Sequence, residues 1–304
     1  MPLDPQLRVL LDAMAVADLP PVTGGDPVEA RRLYREMALA RRGAGYVPEA
    51  VDAVEDTVAD GVLDRVYTPG GDTGASVVLF LHGGGFVIGD LDTHDPVCRR
   101  LANTVGAVVV SVDYRLAPEH PFPAPFDDAE TVLRWAAARY PQRRIAAAGD
   151  SAGATLAAGL SLRARQADVP PLAAQLLWYP ATDPMATTGS RQENGDGYFM
   201  TSADIAWFLE QFLPGGRDAD APEVDLLRSD VTGVAPAVVA TAEFDPLRDE
   251  GDAFADHLRA AGVAVVHVPG PGLIHGYVGF VEMVDQADKI MHRTIEAFAE
   301  ILHG

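Results

Sequence analysis

The stretch Gly149-Asp150-Ser151-Ala152-Gly153 constrains this chain more than any other, because it fits G-x-S-x-G between two different kinds of element. Before it runs Arg144 to Ala148, which reads as a strand. From Ala152 onward the sequence reads as a helix. A serine on a sharp strand-to-helix turn has its oxygen lifted clear of the backbone, and such a turn is crowded. The positions two before and two after the serine must therefore be small, and both are glycine. A helix beginning here also aims free N–H groups at any negative charge that forms beside the serine.

The second constraint is His82-Gly83-Gly84-Gly85-Phe86, directly after the apolar run Ser76 to Leu81. Acyl transfer passes through a tetrahedral oxyanion, which rigid backbone N–H donors stabilise. Three glycines allow a tight loop to bring such donors up to a substrate with no side chain in the way. A phosphate-binding reading fails, since no P-loop lysine follows and the dinucleotide spacing is absent.

With these two motifs the chain resembles the α/β-hydrolase superfamily, and more narrowly the bacterial hormone-sensitive-lipase-like esterases. Three more stretches carry the likeness: Asp113 to Glu119 after the run Ala107–Val112, Asp245 to Gly251 after Ala237–Ala242, and His275-Gly276-Tyr277 after Val263–Val268. It extends from about Val58 to the C-terminus. Two positions depart from the family pattern. Ala154 stands where another glycine is frequent, with little effect expected. Tyr277 stands where phenylalanine is common, and its added hydroxyl is expected to alter substrate preference.

The resemblance implies an α/β-hydrolase fold, a mostly parallel central sheet flanked by helices with a helical cap. It also implies a triad in the order Ser, acid, His. Ser151 is the expected nucleophile. Of the eight histidines, His257, His292 and His303 fall in helical runs, with His257 at the surface; His267 lies within a strand and His120 among prolines. His82 opens the glycine loop with a structural part, and His94 precedes the serine. His275, downstream of Ser151 in a glycine-rich loop, is the expected base. The family match assigns Asp245 as the acid that orients it. Glu243 lies two residues too early, and Asp249 and Glu250 are expected merely to complement a helix dipole. The oxyanion donors are expected among Gly83, Gly84, Gly85 and Ala152. The rate is expected to rise as His275 becomes neutral, near the reference value of about 6.5.

Strand and helix runs alternate along the chain, with strands expected near Val62–Tyr67, Val77–Leu81, Ala107–Val112, Arg144–Ala148, Ala173–Tyr179, Ala237–Ala242 and Val263–Val268. The final helix places Ile290, Met291, Ile295, Phe298 and Leu302 on one core-facing stripe. Two segments fall outside this alternation. Residues 1–50 hold a helix announced by Asp26, Pro27 and Glu29. Residues 184–220 hold another, announced by the capping pair Thr201 and Asp204. In the resembled family such segments cover the site, giving an N-terminal cap segment (1–50), a core in two parts (51–183 and 221–304) and a cap insertion (184–220). Phe86, Tyr198, Trp207, Phe208, Leu247, Ile274 and Tyr277 are expected to wall an apolar pocket for short or medium acyl esters.

The formal net charge of −21, from 44 acidic against 23 basic residues, argues against nucleic acid and anionic membranes as partners. It weakly favours neutral or cationic substrates. The longest apolar runs fall far short of the ~20 residues that cross a bilayer. The N-terminus lacks a basic start, so no secretory signal is read and a cytoplasmic location is expected. Cys98 stands alone and is expected to be a buried structural residue at a helix start. No Cys/His cluster has ligand spacing, so neither metal nor cofactor is expected. The expected partner is a small-molecule ester, with a homodimer through an edge strand such as Val263–Val268 left open. An amidase or deacetylase of a specific metabolite, a non-catalytic small-molecule receptor and an interfacial lipase remain alternatives; the intact His275 weighs against the receptor.

Overall fold

The computed structural model describes residues 1–17, 21–43, 45–71 and 76–304. In chain order the strands are β1 (Ala53–Ala59), β2 (Val62–Thr68), β3 (Ser76–Leu81), β4 (Val108–Asp113), β5 (Arg144–Asp150), β6 (Gln175–Trp178), β7 (Ala237–Phe244) and β8 (Val265–Ile274). The helices of five residues or more are α1 (Pro5–Ala17), α2 (Pro27–Ala40), α3 (Asp95–Val105), α4 (Ala124–Arg139), α5 (Ala152–Arg163), α6 (Gly189–Glu193), α7 (Ser202–Phe212), α8 (Arg248–Ala260) and α9 (Asp285–His303). The strands form one sheet in the order β1-β2-β4-β3-β5-β6-β7-β8. Only the β1–β2 and β2–β4 pairings are antiparallel; the rest run parallel.

The apolar strand runs follow from this arrangement, because a parallel sheet covered on both faces needs apolar side chains on both. In β3, Val77, Leu79 and Leu81 join a core with Phe126 and Leu133 of α4, Leu156 and Leu160 of α5, and Phe254 of α8. Val78 and Phe80 face the other way, into a core with Leu101 of α3 and Phe298 of α9. The stripe expected on the last helix is buried along its whole length, from Ile290 to Leu302. Cys98 is buried in α3, as expected.

All seven expected strands are present, with two differences. β1 adds an eighth that the sequence pattern did not announce. Its side chains, including Glu55 and Asp56, are largely exposed at an edge where it pairs with β2 alone, so no apolar run marks it. The strand expected at Val263–Val268 continues through Pro269-Gly270-Pro271-Gly272 to Ile274. The composition of this stretch predicts a glycine-rich loop, yet prolines are tolerated in an edge strand whose outer side needs no ladder donor. The pairing with β7 shifts register between Ala242 and Phe244. The free side of β8 is partly occupied by the chain itself, since Asp4 donates its N–H to the Gly272 carbonyl (3.0 Å). No helix among the described residues is long and apolar enough to cross a membrane.

The outlying helices begin where their cap signals stand. The Asp26 carboxylate accepts from the N–H groups of Val28 and Glu29, and Thr201 and Asp204 form a reciprocal capping box. Both segments touch the loop after β3. Arg31 of α2 donates to the carbonyls of Val87 and Ala117, Phe208 of α7 lies over Gly85, and Thr23 hydrogen-bonds Asp204.

Candidate active site

Four of the five neighbouring parallel strands from β3 to β8 each deliver one part of a site at the carboxyl end, where open α/β sheets place their ligands. β3 leads into His82, β5 into Ser151, β7 into Asp245 and β8 directly into His275. Ser151 adopts φ 53° and ψ −124°, a conformation rare for a side-chain-bearing residue and held here by its surroundings. A Cβ at Gly153 would land on the Leu81 carbonyl, and one at Gly149 on the Gly153 carbonyl. The turn thus packs on β3, which is why small residues flank the serine on both sides.

Ser151, His275 and Asp245 form one hydrogen-bonded line. His275 Nε2 lies 2.8 Å from Ser151 Oγ, and His275 Nδ1 lies 2.8 Å from Asp245 Oδ2. Asp245 is fully buried, and its other oxygen accepts from the Leu247 amide at 2.8 Å. The loop bearing it is clamped from α6, where Ser190 donates to the Pro246 carbonyl. The other acids nearby are engaged elsewhere. Glu243 accepts from the Gly272 amide. Glu250 is fully buried against Arg191 (2.7 Å) and accepts from the Thr182 amide. Glu250 thus stands in the first turn of α8 as expected, but it does more than complement the helix dipole. Burial lifts its carboxyl to about 7, with Arg191 opposing.

The glycine loop lies against the same turn. The Gly83 N–H is already donated to Asp150 Oδ1 (2.8 Å), which leaves it no part as an oxyanion donor. Those of Gly84, Gly85 and Ala152 make no hydrogen bond within the described residues. Asp150, for which the sequence predicts no role, is therefore the tie between the two motifs. His94 approaches its Oδ1 at 3.3 Å and the Tyr179 hydroxyl its Oδ2 at 3.4 Å. Burial opposes its ionisation, but His94 and the Gly83 amide outweigh burial and hold the carboxyl below its usual range. A charged residue inside a turn between apolar elements was the signal that could have found it. His82 is buried, stacks on Tyr114 at 4.3 Å and has Nδ1 2.8 Å from the Gly83 carbonyl. Burial, with His94 adding, drops it to about 4, so it stays neutral and structural. His257, expected at the surface, is half-buried with Nε2 2.8 Å from the Ser229 carbonyl.

The expected pocket wall needs correction. Phe86 stacks on Phe212 at 3.8 Å in the core. Leu247 and Ile274 are buried, and Tyr277 packs edge-on against Tyr179 at 5.0 Å, its hydroxyl shut in without a partner. These residues adjoin strand ends, where alternate side chains turn back into the interior. The Tyr277 hydroxyl is therefore not presented to substrate. Phe208 lies over the glycine loop with Trp207 against it, and Tyr198 packs on Phe244. The cavity beside the serine turn, about 70 Å³, is lined by Asp150 and Gly276 and by none of the seven residues expected.

Strand order, serine turn, glycine loop and the acid and histidine at successive strand ends are those of an α/β hydrolase. Residues 78–279 match the family described as alpha/beta hydrolase fold, and the chain belongs to it, in its bacterial hormone-sensitive-lipase-like branch. Among its relatives, Esterase LipI of Mycobacterium tuberculosis is 40% identical over 313 residues, covering 99% of this chain and 96% of that protein. Carboxylesterase NlhH of the same species is 38% identical, with 99% and 97% covered. The solved structure of a hyperthermophilic esterase from the archaeon Pyrobaculum calidifontis superposes with a TM-score of 0.92 at 38% identity, covering 99% of each chain. The protein is a carboxylic ester hydrolase.

Proposed function

We propose that the protein hydrolyses short- to medium-chain acyl esters through Ser151, His275 and Asp245 and an acyl-enzyme intermediate. The observation that carries this reading is the unbroken line of two 2.8 Å contacts from Ser151 through His275 to Asp245. Ser151 Oγ attacks the ester carbonyl while His275 Nε2 takes its proton. Asp245 holds the imidazole in the tautomer that leaves Nε2 free to accept, and stabilises the cation that forms. The C–O bond to the alcohol breaks as His275 returns the proton to it. Water, deprotonated by the same imidazole, then releases the acid and restores the serine. The oxyanion is held by the N–H groups of Gly84, Gly85 and Ala152, which no other acceptor occupies. Residues 1–50 and 184–220 act as a cap over this floor, a reading supported by their contacts with the glycine loop and with each other. The small cavity beside the serine suits short acyl chains. The enzyme acts in the cytoplasm on soluble esters.

The test is hydrolysis of 4-nitrophenyl esters from acetate to palmitate by the protein and by Ser151→Ala. Activity is expected to peak at short or medium chains and to fall by about 10⁴-fold or more in the variant. Full activity in Ser151→Ala would sink the mechanism. Hydrolysis of matched amides but not esters would make the protein an amidase, and a folded protein inert to both would favour a receptor.

A further inference from the structure

The negative charge of the whole chain argues against anionic substrates, but the cavity beside the serine turn holds a shielded guanidinium with no acid against it among the described residues. It lies between the end of α2, the start of α3, Phe199 and the turn after His275, and its lining includes Tyr34, Arg41, Arg42, Asp150, Phe199 and Gly276. Asp150 and Gly276 are the chain neighbours of Ser151 and His275. Phe199 joins the two sides, its ring against Gly276 and its face toward Arg41. The Arg41 guanidinium carbon lies 5.0 Å from the Phe199 ring centre and 4.3 Å from that of Phe280. Its Nη2 is shut off from solvent and makes no hydrogen bond, and no carboxylate lies within 4.0 Å of the group among the described residues.

The acids that line the same cavity are committed elsewhere. Asp150 serves Gly83, His94 and Tyr179. Glu282 turns toward Arg100 at 3.5 Å and is half exposed. Burial pulls the Arg41 pKa down, but a guanidinium begins so high that it stays charged. Tyr34 is pushed up by burial to about 12, so it stays a neutral phenol. Two aromatic rings recover only part of the hydration that a buried cation gives up. The planar fork is suited to two parallel bonds to a carboxylate.

We propose that Arg41 receives a carboxylate carried by the substrate, so that the preferred ester bears a negative group at one end: a half-ester of a dicarboxylic acid, or an ester of a hydroxy or phenolic acid. This rests on Ser151 being the nucleophile, since the cavity reaches the site through Asp150 and Gly276, the chain neighbours of Ser151 and His275. The whole-chain charge governs approach from a distance and is screened beyond about 10 Å, whereas the Arg41 contact is local and shielded.

The test compares kcat/KM for mono-4-nitrophenyl adipate with 4-nitrophenyl hexanoate, and for 4-acetoxybenzoate with 4-acetoxybenzamide, in the protein, Arg41→Met and Arg41→Lys. The first pair carries the charge on the acyl side, the second on the alcohol side. In one pair the charged-to-neutral ratio is expected to fall tenfold or more in Arg41→Met, chiefly through KM. Arg41→Lys, which keeps the charge but loses the fork, is expected between the two. Ratios unchanged in both pairs would overturn the proposal. Calorimetric binding of monomethyl adipate and of 4-acetoxybenzoate to Ser151→Ala, with and without Arg41→Met, needs no turnover. Binding of either that Arg41→Met weakens tenfold or more supports the proposal, and binding of both that is absent or unaffected by Arg41→Met overturns it. An inert protein that still shows the Arg41-dependent binding would therefore sink the esterase mechanism and leave the carboxylate site standing.

Discussion

Arg41 and Arg191 both lie in the segments outside the alternating core, and both guanidinium groups are largely shielded from water. Arg191, in α6, meets the fully buried Glu250 at 2.7 Å, and Glu250 in turn accepts from the Thr182 and Asp183 amides. Arg41, beyond the end of α2, meets two aromatic faces and, among the described residues, no acid. The first is closed within the fold and fixes the 184–220 segment to α8, close behind Asp245. The second borders the cavity that Asp150 and Gly276 also line. A third group supplies the contrast in sign. Asp64 of β2 is fully buried, and no cation pairs with its carboxyl among the described residues. Burial lifts it to about 8, with Asp113 and Asp128 adding and the Ala59 amide opposing. A carboxylate without a counter-charge can take up a proton and become neutral. A guanidinium has no such exit, so its missing anion has to come from somewhere.

This difference predicts unequal costs. Arg191→Met leaves Glu250 as an uncompensated buried acid and is expected to destabilise the fold by about 3–5 kcal/mol in denaturant melts. The folded-state pKa of Glu250 is already raised to about 7, so the stability its protonated form supplies is present below about pH 4 and lost as pH rises toward 7. Without Arg191 that loss deepens, and the penalty of the variant should grow with pH. Asp64→Asn is expected to act next most strongly. The folded protein binds the Asp64 proton up to about pH 8, while the unfolded chain releases it near 4. Wild-type stability should therefore fall across that window, and the variant should lose this slope and gain about 2–4 kcal/mol at pH 8. Arg41→Met, measured without ligand, is expected to shift stability by under about 1 kcal/mol in either direction. A penalty as large as that of Arg191→Met would mean that Arg41 is closed within the fold after all, and would break the comparison.

The sheet was legible because burial on both faces writes apolar runs into β3 to β7, and those of β3, β5 and β7 lead to His82, Ser151 and Asp245. β1 was not, because an exposed edge strand has no buried face to advertise. β8 was half legible: Val265 to Val268 read as a strand, while Pro269 to Gly272 read as a loop, since composition cannot show which side of a strand lies free. The line from Ser151 to His275 to Asp245 could be anticipated from motif order. The cavity could not. Its lining comes from α2, α3 and two turns remote in sequence, and no local pattern brings Arg41 near Gly276. The candidates named from proximity to the motifs, such as Phe86 and Tyr277, turned inward instead. Glu250 shows the same limit, since its partner Arg191 stands in a different segment.

The Gly83-to-Asp150 hydrogen bond makes the glycine loop and the serine turn one part, although 67 positions separate the bonded residues. Neither motif is a module that can be transplanted by itself. A loop grafted from a relative would bring its N–H groups to the right place only if position 150 of the host offered the same acceptor. For the same reason, substitutions at the two positions should interact rather than add. Anyone reshaping this enzyme would do well to exchange residues 82–86 and 149–153 together.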